Sequence, residues 1–198
     1  MNAVYTRKNE KLQDPAFARF LFADTRAAWF WLLVRVWLGW EWIDASMHKI
    51  NNPAWVQTGE AVKGFWTNAV TIPEVGRPPI SFEWYRSFIQ LLLDNEAYRW
   101  FAPLIAYGEL LIGIGLILGA FTGIAAFFGA LLNWNFMMAG TASSNPLLFA
   151  LAIGIILAWK VAGYVGVDYF LLRFLGTPWH GKPAEKLVTL VPGAAAAD

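Results

Sequence analysis

The sequence predicts an all-α integral membrane protein: a four-helix bundle with amphipathic interfacial helices in the long loop between spans one and two. Hydrophobic residues make up 58% of the 198 residues, and charged residues make up only 15%. Soluble proteins average about 45–50% apolar and about 25% charged residues. Four segments also remain apolar over the roughly 20 residues that a helix needs to cross a bilayer. This composition argues against a disordered chain, a coiled coil and a soluble domain.

Four apolar segments are the predicted membrane spans. Helices are expected rather than strands, because barrel strands are about ten residues long and alternate in polarity. A short glycine-rich turn joins spans two and three, and Asn145 followed by Pro146 is typical of a helix start before span four. The predicted spans cover residues 27–48, 100–120, 121–140 and 147–167, with a loop at 49–99.

The two ends of the chain predict the orientation. Residues 1–26 form a charged arm without the features of a cleavable signal, so span one is predicted to be a retained anchor. Lysines and arginines lie close to the spans in this arm and in the tail at 180–198. The positive-inside rule then places both termini in the cytoplasm, with residues 27–179 as one multi-pass domain of the plasma membrane.

The loop at 49–99 contains apolar residues at helical spacing in two stretches, one after Asn52-Pro53 and one after Ser81. Both stretches are too short and too polar to span a bilayer. They are typical of amphipathic helices at a membrane interface. Two readings stay open: the helices pack over the end of the bundle, or they form a lid over a ligand site.

Composition also excludes several kinds of site. The chain has no cysteine and only two histidines, His48 and His180. Iron–sulfur clusters and thiolate chemistry are therefore excluded, and neither haem nor a metal site is expected. The net charge of +1 gives no basic surface for nucleic acid. Redox chemistry would have to be carried by a molecule that the chain binds.

Placing an ionisable side chain inside a membrane span costs free energy, so such residues indicate a structural or functional site. At 1.5 Å rise per residue, Arg35, Glu109 and Asn133 lie at similar depths. We expect an ion pair between Arg35 and Glu109, with Asn133 near a remaining carboxylate oxygen. Such a pair either fixes helix register or takes part in a proton or ligand relay.

A second polar group lies near the end of span one. Glu41, Asp44 and His48 are spaced i, i+3, i+7 and share one helix face. They form either the wet end of a helix or a carboxylate–imidazole cluster at the mouth of a pocket, which could exchange protons near neutral pH. The candidate catalytic residues are therefore Glu41, Asp44, His48 and Glu109.

Short motifs in a fixed order make the chain resemble the DoxX/DoxD family of membrane proteins over residues 27–179. Three of the motifs, those that begin at Asn52, Ala61 and Phe121, resemble the DoxD-type branch in particular. The motifs are Arg35-Val36-Trp37-Leu38-Gly39-Trp40, His48-Lys49-Ile50, Asn52-Pro53-Ala54-Trp55, Ala61-Val62-Lys63-Gly64-Phe65-Trp66, Gly108-Glu109-Leu110-Leu111-Ile112-Gly113 and Phe121-Thr122-Gly123.

The resemblance implies a subunit of a membrane oxidoreductase. DoxD is the large subunit of thiosulfate:quinone oxidoreductase, which makes tetrathionate, reduces quinone and has DoxA as a small partner. The residues suit quinone better than thiosulfate, because a quinone needs an apolar slot with aromatic walls and a few hydrogen-bonding groups. Asn133, Asn135 and Trp134 are the candidate quinone-binding residues. The candidate thiosulfate-binding residues are Lys49, Lys63, Arg77, Arg86 and Arg99.

Two other functions remain open. The chain could be a non-catalytic accessory or assembly subunit of a larger respiratory or photosynthetic membrane complex. It could also be a small transporter, which would require a broken helix and an internal repeat. The expected partners are the lipid bilayer, a DoxA-like subunit or a larger complex, and further copies of the chain.

Overall fold

A computed structural model describes residues 14–174, which are helical with short connections and contain no strand in that range. The all-α prediction is confirmed for these residues. The predicted tail at 180–198 and the first half of the predicted N-terminal arm lie outside the described residues. The elements are α1 (Ala16–Ala23), η1 (Thr25–Ala27, a 3₁₀ helix), α2 (Ala28–Ile50), α3 (Pro53–Val56), α4 (Glu60–Val70), α5 (Glu83–Asp94), α6 (Tyr98–Leu118), α7 (Thr122–Met138), α8 (Asn145–Leu157), α9 (Trp159–Ala162) and α10 (Asp168–Phe174).

The two longest helices, α2 and α6, run antiparallel and approach closely at a pair of glycines. A Cβ atom added to Gly113 would lie 2.7 Å from the carbonyl oxygen of Gly39 and 2.6 Å from the side chain of Ile43. Only residues without a side chain allow two helix backbones to come this near. The contact fixes the register of α2 against α6, and thereby the level of every polar group on the two helices.

The turn between α6 and α7 is held by a carboxylate from a distant part of the chain. Gly119 and Phe121 both adopt positive φ, at 65° and 50°. The side chain of Asp168 accepts hydrogen bonds from the backbone N–H groups of Phe121 and Thr122 at 2.7 and 2.8 Å. These N–H groups begin α7 and have no partner within the helix. Asp168 therefore ties the chain after α9 to the α6–α7 turn.

The predicted fourth span, 147–167, is not one continuous helix. α8 begins at Asn145 as expected, but the helix is interrupted at Ala158, and α9 ends at Ala162. The following chain turns so that the N–H of Val167 donates to the carbonyl oxygen of Leu118 at 3.1 Å. This contact with the end of α6 redirects the backbone, and an apolar run of residues does not reveal it.

The loop between α2 and α6 contains three helices, of which α3 and α4 pack against α6 and α5 packs against α4. Asn52 caps α3 by accepting a hydrogen bond from the N–H of Ala54 at 3.0 Å. The buried faces of α4 and α5 then form a second core with α6. Its buried members include Val62, Trp66, Ile80, Tyr85, Ile89, Tyr98, Ala102 and Ile105.

By length and apolar composition, α6 is the one helix within residues 14–174 that is suited to cross a membrane. α2 has 23 residues but carries Arg35, Glu41, Asp44 and Lys49. α7 has 17 residues and α8 has 13. The structure thus gives one membrane-spanning candidate where the sequence predicts four.

Candidate functional site

An apolar cavity of about 420 Å³ lies between the loop helices and the α6–α7 hairpin. Small-molecule sites typically have volumes of about 300–1,000 Å³, so the cavity can hold a ligand of that class. Its lining is mainly aliphatic and aromatic. The aromatic walls include Trp55, Phe65, Phe101 and Phe136.

The rim of the cavity is apolar as well. Several lining side chains are also exposed at the protein surface, namely Phe88, Leu104, Leu111, Phe128 and Leu131. Four of these belong to α6 and α7, so the cavity reaches the outer surface of this hairpin. A ligand with an apolar tail could leave the tail in this opening.

Tyr85 and Asn135 supply polar atoms in the lining. The hydroxyl of Tyr85 donates to the backbone and side-chain oxygens of Asn135, both at 3.1 Å. One amide hydrogen of Asn135 is bonded to the carbonyl oxygen of Leu131 at 2.7 Å, which leaves the second as a donor. Burial raises the pKa of Tyr85 to about 12, so its hydroxyl keeps its proton at neutral pH.

A buried ion pair borders the same cavity. The Nζ atom of Lys49 lies 2.5 Å from Oε2 of Glu109, and the two side chains are 17% and 1% exposed. The same Nζ lies 5.3 Å from the ring centre of Trp55 and 6.0 Å from that of Phe136, which both line the cavity. The ammonium group therefore lies close to two of the aromatic side chains that line the cavity.

Further polar atoms are buried in the interface of α2, α6 and α7, at about the level of Glu109. A Cβ atom on Gly129 would lie 3.1 Å from Nε1 of Trp42 and 3.4 Å from Ile112. Asn133 and Glu109 are each about one helical turn from these contacts, on the same side. Within residues 14–174, Nε1 of Trp42, Oε1 of Glu109 and both amide atoms of Asn133 are buried without a hydrogen-bond partner. The layer thus offers donors and an acceptor beside the ion pair.

The predicted ion pair between Arg35 and Glu109 is wrong. Glu109 pairs with Lys49, while Arg35 donates to the carbonyl oxygen of Val165 at 2.5 Å. Gly39 faces Gly113, so Arg35, one turn earlier on α2, lies near the end of α6, at least two turns from Glu109. The depth estimate failed because it aligned helix ends, whereas α2 begins well beyond the end of α6.

Glu41, Asp44 and His48 do not line the cavity. Asp44 and His48 are exposed, and Glu41 is half-buried. Nε2 of His48 is 3.7 Å from Oδ2 of Asp44. In the described part of the chain, no group of three His, Cys, Asp or Glu side chains could hold a metal ion.

The three candidate quinone-binding residues separate in the structure. Asn135 lines the cavity. Asn133 is fully buried between helices, and Trp134 is partly exposed with its ring 6.1 Å from that of Tyr85. The two asparagines diverge because they are two positions apart on a helix, which turns them about 200° from each other.

The five candidate thiosulfate-binding residues do not form one basic pocket. Lys49 is buried against Glu109. Lys63, Arg86 and Arg99 each pair with a carboxylate three residues earlier on their own segment, and Arg77 is exposed. Four of the five positive charges, all except that of Arg77, are therefore balanced by a nearby carboxylate.

Lys49 and Tyr85 are the polar residues of this site that the sequence analysis did not assign to it. A signal for Lys49 was present, since it follows Trp42 by seven positions and Ser46 by three. These spacings place it on the same face of α2 as Trp42 and Ser46, which are both buried in the structure. Tyr85 lies in the stretch of helically spaced apolar residues after Ser81, and no other feature of the sequence distinguishes it.

Comparison with known proteins identifies the family. The DoxX family model matches residues 30–144, which is more than half of the 198 residues. The match includes every lining residue of the cavity and both members of the buried ion pair. No curated protein and no solved structure matches the chain. The chain belongs to the DoxX family.

Proposed function

We propose that this protein is a quinone-binding subunit of a membrane oxidoreductase. Proteins of the DoxX family are typically membrane-associated, and α6 can cross a bilayer by its length and composition. In the proposed arrangement α2, α6, α7 and the α8–α9 segment all cross the plasma membrane, and both termini are cytoplasmic. The cavity then lies in the half of the bilayer opposite the termini.

Exposed apolar side chains on all these helices support the membrane placement. Soluble proteins seldom expose large contiguous apolar patches. Here each proposed span presents aliphatic or aromatic groups at its surface, as contact with lipid requires. Examples are Leu33 and Trp37 on α2, Leu104 and Leu111 on α6, Ile124 and Phe127 on α7, and Leu147 and Ile153 on α8.

The observation that carries the proposal is the combination of an apolar cavity with a lateral opening and a small set of polar donors. Quinones have a flat ring, two carbonyl acceptors and an isoprenoid tail. The aromatic walls suit the ring, and the opening along α6 and α7 suits the tail. Asn135 and the ammonium of Lys49 are donors that could bind a carbonyl oxygen.

Reduction of a quinone to a quinol takes two electrons and two protons. The ammonium of Lys49 can donate a hydrogen bond to a carbonyl oxygen and stabilise the negative charge that grows there. Glu109, 2.5 Å from this ammonium, holds it in position through a charge-assisted hydrogen bond. Lys49, held by Glu109, thus acts at the carbonyl oxygen of the quinone, which gains negative charge and protons during the reduction.

The resemblance to DoxD makes thiosulfate the first electron donor to test. Two thiosulfate ions lose one electron each and join through a new sulfur–sulfur bond as tetrathionate. The quinone takes up the two electrons together with two protons. Because the basic side chains are paired locally, we expect a DoxA-like partner subunit to complete the thiosulfate site.

Transport is not favoured by the broken fourth helix. The interruption at Ala158 is what a transporter would require, but transporters place such breaks at their substrate site. Neither α8 nor α9 contributes a residue to the cavity. The break instead accompanies the turn that brings Val167 to Leu118.

The test is extraction in mild detergent followed by mass spectrometry of the quinones and proteins that co-purify. We expect about one quinone per chain, and quinone reduction that depends on thiosulfate once the partner subunit is added. A purified chain with no more quinone than an unrelated membrane protein from the same cells would contradict the proposal. A stable set of larger subunits without quinone would instead identify an accessory subunit.

A further inference from the structure

A hydrogen-bonded group of three residues forms one wall of the cavity, between α5 and α7. The hydroxyl of Tyr85, on α5, donates at 3.1 Å to the side-chain oxygen and to the backbone oxygen of Asn135, on α7. The side-chain nitrogen of Asn135 donates to the carbonyl oxygen of Leu131 at 2.7 Å. All three residues line the cavity. The side-chain amide of Asn135 is therefore held both at its oxygen and at its nitrogen.

These two contacts fix the direction of the amide hydrogen that remains free. A side-chain amide is planar and carries two hydrogens on its nitrogen. One hydrogen is bonded to Leu131, so the second lies along a direction that the amide plane sets. The terminal torsion of an asparagine side chain has broad, shallow preferences, so the plane could turn if its oxygen had no partner. The hydroxyl of Tyr85 is that partner.

Tyr85 is itself closely packed, so its hydroxyl is a fixed donor. The residue is only 3% exposed. The centre of its ring lies 5.5 Å from that of Trp84 and 6.1 Å from those of Phe88 and Trp134. Burial raises the pKa of the hydroxyl to about 12, so the hydroxyl keeps its proton at neutral pH. The donor that orients Asn135 is therefore in place before a ligand binds.

We propose that Tyr85 is a positioning residue for the quinone: it orients the amide of Asn135 so that the free amide hydrogen meets a carbonyl oxygen of the ligand. This inference rests on the proposed function. The one hydroxyl hydrogen of Tyr85 is already used by Asn135, so Tyr85 acts through Asn135 rather than as a donor to the ligand. A donor that is oriented in advance strengthens binding, because less side-chain freedom is lost when the ligand arrives.

A double-mutant cycle on the affinity for a short-chain quinone tests whether Tyr85 acts through Asn135. Tyr85→Phe removes only the hydroxyl, and Asn135→Leu removes the amide. Tyr85→Phe alone should weaken binding by about threefold to tenfold, because the amide must then be ordered on binding. In the Asn135→Leu background the same substitution should change the affinity by less than about twofold, because no amide is left to orient.

The infrared spectrum of the bound quinone separates orientation of the amide from a structural effect. A hydrogen bond to a carbonyl oxygen weakens the C=O bond and lowers its stretching frequency. Tyr85→Phe should therefore move one carbonyl band of the bound quinone to higher frequency, in the same direction as Asn135→Leu. If Tyr85 only held α5 against α7, less quinone would bind, but the band of the bound fraction would not move. This readout needs only Tyr85→Phe, so it does not depend on the folding of the double variant.

Tyr107→Phe is the matched control, because it removes the hydroxyl of an exposed tyrosine on α6 that does not line the cavity. It should leave both the affinity and the carbonyl band unchanged. An unmoved band in Tyr85→Phe, or an equal loss of affinity with and without Asn135, would overturn the role of Tyr85 while leaving quinone binding intact. An unmodified protein that binds no quinone would overturn the proposed function, and this inference with it.

Discussion

Lys49 and Glu109 join α2 to α6 through a buried ion pair beside the cavity. Removing one partner of such a pair leaves the other charge buried and uncompensated. Lys49 and Glu109 can therefore pair only if α2 and α6 pack in one register. The close contact of Gly39 with Gly113, on the same two helices, favours that register.

We predict that Glu109→Gln destabilises the protein by about 3 kcal/mol, because the ammonium of Lys49 loses its carboxylate. Glu41→Gln is the matched control, since Glu41 is half-buried outside the cavity and should change stability by less than about 0.5 kcal/mol. Thermal unfolding in detergent measures both variants. Equal melting temperatures for the two would count against a structural role of the pair.

Tyr85 gives a prediction about pH. Burial raises the pKa of Tyr85 from 10.0 to about 12 in the folded protein. The unfolded chain therefore loses this proton first, and stability that is fully present below pH 10 falls as the pH rises towards 12. Tyr85→Phe should reduce the slope of melting temperature against pH in this window.

The control for this experiment is Trp84→Phe, which alters an exposed aromatic residue of the same helix that has no titratable group. It should leave the slope as it is in the unmodified protein. The prediction fails if Tyr85→Phe and the unmodified protein lose stability in parallel between pH 10 and 12.

For individual residues, the sequence identifies the polar side chains within the helices. It does not show whether each of them faces the protein interior or the surface. α2 carries two polar stripes, one with Trp42, Ser46 and Lys49 and one with Asp44 and His48. Both stripes have helical spacing, so periodicity alone cannot tell which of them packs against the other helices. The tertiary contacts make that choice, and they bury the stripe that contains Lys49.

At the scale of elements, the close approach of α2 and α6 gives a matched pair of variants on one helix. Gly113→Ala would bring a methyl group within 2.7 Å of the carbonyl oxygen of Gly39, so we expect a loss of about 1–3 kcal/mol. Gly108→Ala meets no atom within 4 Å and should be neutral or stabilise α6 by up to about 1 kcal/mol. Chemical denaturation in detergent measures both. Similar effects of the two substitutions would refute the close contact.

The helices themselves are well marked in the sequence, whereas their interruptions are not. The apolar run from 147 to 167 has no proline or charged cluster at Ala158 to indicate the break. The break accompanies a contact with a distant part of the chain. Asp168 accepts hydrogen bonds from the N–H groups at the start of α7, which holds the chain after α9 against the α6–α7 turn. A contact between residues more than 40 positions apart cannot be derived from local propensity.

For the whole molecule, the all-α class follows from composition and periodicity. The candidate site depends on the register in which the helices pack against one another. The sequence places Glu109 and Asn135 in spans and predicts amphipathic helices in the loop at 49–99. It cannot show that α4 and α5 close a cavity against α6 and α7, because that depends on how the amphipathic faces combine. The candidate site was therefore found in part, through Glu109 and Asn135, and completed by Lys49 and Tyr85.

The central claim is that the cavity binds a quinone, and a cavity-filling substitution tests it most directly. Gly108 lines the cavity, and a Cβ atom on it meets nothing within 4 Å. Gly108→Leu therefore fills the cavity without a backbone clash. Gly64→Leu is the control, because Gly64 also has open space around its Cβ position but lies on α4 outside the lining.

The measurement is the affinity of the purified protein for a short-chain quinone, compared among the unmodified protein and these two variants. We predict that Gly64→Leu binds as the unmodified protein does, and that Gly108→Leu binds at least about tenfold more weakly, a difference of about 1.4 kcal/mol. Equal affinities for all three proteins would show that the quinone binds elsewhere or not at all, and would contradict the proposed site.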